Sequence, residues 1–87
     1  MKARFIAHWF CGGSNHDSMT ASTLEALYPF IKERKAETRE SKGGLSLCVA
    51  DLRSKAEDWL WKMESGGRVT YNTRSKYGRQ AARLFGC

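Results

Sequence analysis

Residues able to do chemistry gather near the carboxyl end of this chain. Lys76, Arg79 and Arg83 recur at i, i+3 and i+7, which places them on one face of a helix. Tyr77, Ala81 and Leu84 fall on a different face of the same segment. Arg68 and Arg74 stand just upstream, and Tyr71 and Tyr77 are interleaved with the cations. A guanidinium pairs bidentately with phosphate or carboxylate oxygens, and a tyrosine ring stacks on a base. The pattern therefore points to recognition of an anionic partner. The competing reading is the solvated polar side of an amphipathic helix.

The charge balance sharpens this. The 87 residues carry a formal charge of +6, and residues 1–65 hold ten basic side chains against nine acidic ones. Residues 66–87 hold five basic side chains and no acid. A field of that kind attracts nucleic acid, an acidic protein face or anionic lipid. A second basic row, Lys32, Lys35, Arg39 and Lys42, lies beside an acidic row of Glu33, Glu37 and Glu40. Like charges one turn apart repel, so a helix arranged for its own stability mixes signs. Segregation hints at a partner; a charged, solvated face is the plainer account. Trp61 adds a candidate anchor, because on a helix it sits about 200° from Trp59 and Met63, away from the apolar side.

Other constellations are weaker. His8, Cys11 and His16 are metal-capable, with Cys48 and Cys87 as further donors, but H-x2-C-x4-H is no zinc spacing and no C-x2-C pair exists. No metal or other cofactor is expected. Cys11 beside a histidine has the makings of a nucleophilic pair, yet a single cysteine at a strand end is more simply packing. Gly12, Gly13 and Ser14 lack the lysine of a phosphate loop. A small ribonuclease toxin stays open on composition, with Arg68, Tyr71, Arg74 and His16 as phosphate clamps and proton carriers.

The elements that position these groups follow from periodicity. Residues 3–10 (ARFIAHWF) alternate with bulk on both faces and predict a central strand. Gly12 and Gly13 break it. Ser22 and Glu25 make a capping box for a helix whose buried face is Leu24, Leu27, Tyr28 and Ile31. Pro29 predicts a kink or a division there. Beyond it the segment 32–42 has no apolar stripe and reads as a solvated or fraying extension. Residues 45–50 (LSLCVA) read as a second strand. Ser54 and Glu57 make another capping box, with Ala56, Trp59, Leu60 and Met63 as a second helical stripe. Residues 68–73 form a third strand, and Ser75 caps a last helix to Phe85 that buries Tyr77, Ala81, Leu84 and Phe85. Gly78 costs that helix about 1 kcal/mol relative to Ala. The expectation is one compact α+β domain over 1–87, with a three-stranded sheet and three helices in β-α-β-α-β-α order.

The segment Lys55-Ala56-Glu57-Asp58-Trp59-Leu60, followed by Arg68-Val69, resembles part of a phage-encoded anti-CRISPR protein that blocks an RNA-guided nuclease. The likeness covers under a tenth of the chain. That relative is acidic where this chain is basic, so no binding residues are carried over. The resemblance implies a stoichiometric inhibitor. Composition agrees with a soluble domain: 41% apolar and 28% charged, with no apolar run of membrane-spanning length. MKARFIAHWF lacks the marks of a signal peptide, and an odd number of cysteines suits a reducing compartment, so a cytoplasmic location is expected. The functional expectation is a non-enzymatic binding protein, not an enzyme. It docks a basic surface on an acidic protein face or nucleoprotein complex and inhibits it by occlusion. Candidate binding residues are Arg68, Tyr71, Arg74, Lys76, Tyr77, Arg79 and Arg83, with Trp61, Lys35 and Arg39. The alternative is direct binding of DNA or RNA.

Overall fold

The computed structural model describes residues 3–12, 14–53 and 59–86. Its strands are β1 (Phe5–Cys11), β2 (Ser14–Ala21), β3 (Leu45–Asp51), β4 (Trp59–Glu64) and β5 (Arg68–Tyr71). A 3-10 turn (Glu25–Leu27) leads into helix α1 (Tyr28–Glu40), and α2 is Lys76–Phe85. The strands make one sheet in the order β2-β1-β3-β4-β5, with every neighbouring pair antiparallel. The domain is α+β as expected. The expected three strands and three helices are replaced by five strands and two helices.

Two segments account for the correction. The first is β2, which forms a hairpin with β1 through the two residues between Cys11 and Ser14. Its sequence, SNHDSMTA, lacks aliphatic alternation, and it pairs because the hairpin register seats Met19 opposite Ala7 and Ala21 opposite Phe5. The second is β4, over residues read as a helix. Trp61 and Met63 pair with Val49 and Leu47 and point into the core. A bulge opposite Val49 and Ala50 inserts Leu60, whose side chain is also buried. Two consecutive inward residues imitate a helical stripe. The capping residues Ser54 and Glu57 lie outside the described residues.

One face of the sheet builds the core. Phe5, Ala7, Leu47, Val49, Trp61 and Met63 meet Leu24, Leu27 and Ile31 from the α1 region and Ala81 and Phe85 from α2. Each large side chain buried here contributes roughly 1.5–3 kcal/mol. Pro29 lies in the first turn of α1, where a missing N–H removes no helical bond, and the 3-10 turn absorbs the expected kink. Thr23, rather than Ser22, supplies a capping oxygen: it accepts from the Ala26 N–H at 3.3 Å. The charged part of α1 stays helical to Glu40. One of its anchors is a buried hydroxyl: the fully buried Thr38 side chain accepts from Trp9 Nε1 at 3.1 Å and donates to the Arg34 carbonyl at 2.8 Å. Arg34 in turn forms an ion pair with Asp17 on β2 and lies over the Phe30 ring, 3.8 Å from its centroid.

Helix α2 starts as expected, with Ser75 Oγ accepting from the Tyr77 N–H at 3.2 Å. Gly78 has a reason beyond propensity. A Cβ at this position would stand 2.0 Å from the Asn72 carbonyl oxygen, so the helix rests on bare backbone. At its other end Trp61 Nε1 donates to the Gly86 carbonyl at 2.8 Å, and the Trp61 ring meets Phe85 edge-on.

Candidate anionic-partner surface

The basic stripe survives folding as a free surface. Arg74, Lys76, Arg79 and Arg83 are exposed, as is Arg68. None of the five forms an ion pair among the described residues. Arg4 and Arg34, by contrast, are held by Asp51 and Asp17 respectively. Strand β5 turns Tyr71 toward the helix side of the sheet, where it lines a shallow hollow of about 290 Å³ with Arg79, Ala82 and Arg83. Arg79 Nη1 donates to the Thr73 carbonyl at 2.7 Å, which fixes its guanidinium at the rim. Arg83 stands one turn further along the same face. Two guanidiniums beside a half-exposed tyrosine ring suit phosphate or carboxylate oxygens attached to a flat group.

Other candidates fall elsewhere. Arg68 pairs in register with Glu64 and leaves β5 on the side opposite Tyr71. Tyr77 packs edge-on against Phe5 at 5.3 Å and lies under Arg4 at 4.5 Å, so its ring serves the core margin more than the basic stripe. Lys76 flanks it at 5.1 Å. Trp61 is fully buried, which overturns its reading as a surface anchor; strand geometry sends it inward and leaves Trp59 41% exposed. Lys35 is half-buried, with Nζ beside Gly86 at the end of α2. Arg39 lays its aliphatic stem over Gly67, its Cγ 3.0 Å from where a Cβ would stand. Both therefore brace α1 against α2 and the β4–β5 turn, and they are not part of the hollow.

A second cluster sits on the other side of the sheet, the face that neither helix covers. His8 lies 5.5 Å from Phe10 and 6.1 Å from Trp59, and Phe10 lies 6.4 Å from Trp59, between ring centroids. Sequence alternation does place His8 and Phe10 together. Trp59 is assigned to the wrong side once β4 is read as a helix. Beneath the rings Cys48 is buried, and burial pushes its thiol up, opposed by the Ser46 hydroxyl at 3.3 Å and by Lys62. A thiol held neutral in this way is a poor nucleophile. Cys11 is free and half-buried. No group of three metal-capable side chains comes together among the described residues; the His16 side chain and Cys87 lie outside them. No described helix is long and apolar enough to cross a membrane. Neither a protein family, nor a curated relative, nor a solved structure matches the chain.

Proposed function

We propose that this protein is a non-enzymatic binding protein that docks the Tyr71–Arg79–Arg83 hollow, with Arg74 and Lys76 beside it, on an acidic face of a nucleic-acid-processing complex. Bound there, it inhibits the complex by occlusion, the role of a phage or mobile-element inhibitor of host defence. The observation that carries this reading is the contrast in charge pairing. Arg4 and Arg34 meet internal carboxylates, while among the described residues the cations of α2 and the turn before it meet none. Their positive charge is left for a partner. Direct binding of DNA or RNA is the second reading, favoured by the exposed Tyr71 ring, which lines the same hollow as the two arginines. The ribonuclease reading has less support, because Arg68 and Tyr71 leave β5 on opposite sides.

The test is capture of such a complex from a bacterial lysate by the wild type and by Arg79→Glu combined with Arg83→Glu. The proposal expects capture that survives nuclease digestion, falls by roughly tenfold or more in the double variant, and accompanies loss of the complex's activity. Capture unchanged by the double reversal would discard the site. Capture that needs nucleic acid, with a log–log salt slope of about −0.9 per phosphate contacted, would favour the second reading instead.

A further inference from the structure

Among the described residues, the side of the sheet opposite the helices has the composition of a surface made for flat, hydrogen-bonding ligands. Three rows run across it. Thr20, Ile6, Ala50 and Trp59 are cross-strand neighbours; so are Ser18, His8, Cys48, Lys62 and Thr70; so are Phe10, Ser46, Glu64 and Arg68. Aromatic rings occupy the middle, hydroxyls the margins, and cations the β4–β5 side. Glu64 is the single acid in these rows, and it lies 3.3 Å from Lys62.

From this we infer that the sheet face opposite the helices is a stacking platform for single-stranded nucleic acid, with Phe10 and Trp59 receiving bases and Lys62 and Arg68 receiving backbone phosphates. Ring exposure favours bases as the occupants. Trp59 stands nearly perpendicular to His8 and Phe10, at 83° and 87°, and is 41% exposed, so its ring offers surface on which a base can stack. A hollow of about 480 Å³ opens beside them, lined by Phe10, Ser46, Cys48, Trp59, Lys62 and Glu64. Its floor is apolar and its rim supplies a hydroxyl and a charge. Charge favours a polyanion: the face is net cationic in a chain of charge +6. A duplex hides its base faces, whereas a single strand offers them at every residue. This inference uses neither Arg79 nor Arg83, so it stands or falls separately from the docking proposal.

The experiment is an anisotropy titration of a short fluorescein-labelled oligothymidylate at low salt. Wild type is compared with Trp59→Ala, Phe10→Ala, Trp59→Phe and Lys62→Ala. Trp59→Ala and Phe10→Ala are expected to weaken binding by roughly ten- to a hundredfold each, while Trp59→Phe retains most of it. Lys62→Ala is expected to flatten the salt dependence by about 0.7 in log–log slope. Circular dichroism and thermal melting establish that each variant is folded. No binding by the wild type, or equal binding by folded Trp59→Ala, would overturn the inference. So would a sedimentation shift to a dimer that Trp59→Ala dissolves, since the face would then be covered by a second copy.

Discussion

The two faces of one sheet use the same residue types for opposite ends. Trp61 and Trp59 lie two positions apart in β4, yet one is sealed in the core and the other stands 41% exposed. Trp61 satisfies its indole N–H on the Gly86 carbonyl and packs its ring on Phe85, so both its polar and apolar needs are met inside. Trp59 stands nearly perpendicular to the rings of His8 and Phe10. The core closes around Trp61, whereas Trp59 keeps much of its ring at the surface, the position an amphipathic ring takes at a binding site.

That contrast breaks most directly at the tryptophans themselves. Trp61→Ala should cost about 3–5 kcal/mol in a chemical denaturation experiment, enough to unfold a domain of this size. Trp59→Ala should cost well under half as much. Equal losses would mean that the uncovered face is structural too. A second, smaller effect tests how tightly the covered face is built. Gly78→Ala would raise helix propensity by about 1 kcal/mol in an isolated peptide. Here it should destabilise by about 1–3 kcal/mol, because the added Cβ meets the Asn72 carbonyl and must push α2 off the sheet. Thermal melting reads the sign.

The smallest effect sharpens the comparison from the uncovered side. Burial raises the Cys48 thiol, so the folded chain keeps its proton at a pH where the unfolded chain has lost it. Its contribution to stability is fully present below the ordinary thiol value of 9.0 and falls as pH rises past it. Denaturation midpoints followed from about pH 7 to about pH 10 should therefore decline more steeply for wild type than for Cys48→Ala. Parallel declines would mean that water reaches the thiol beneath the rings.

Much of this was legible in local pattern, and the failures have a common cause. Strands β1, β3 and β5 and helix α2 are written in alternation, in apolar spacing and in the Ser75 cap, all of which act over a few residues. Strand β2 is not, because its pairing depends on the covered-side Asp17 meeting Arg34 and on Met19 meeting β1, contacts supplied by distant segments. The Cys11-Gly12-Gly13-Ser14 junction was the available signal, since a two-residue glycine loop between strands is a hairpin turn. Strand β4 misleads because its bulge makes Leu60 and Trp61 both face inward. The charged half of α1 is tethered by contacts with distant segments, among them the Thr38 hydroxyl, which reaches a tryptophan 29 residues away, and the Arg34–Asp17 ion pair. The cations of α2 were legible because exposure follows helical period. The exchange of Trp59 for Trp61 was not, because it required knowing strand from helix.

The absence of a side chain at Gly78 also has a mechanical meaning. Helix α2 rests directly on the Asn72 carbonyl, Arg79 grips the Thr73 carbonyl, and the Asn72 N–H is bonded to Leu60, next to Trp59. The footing of the basic helix and the end of the bulged strand thus share one short stretch of backbone, Asn72 and Thr73.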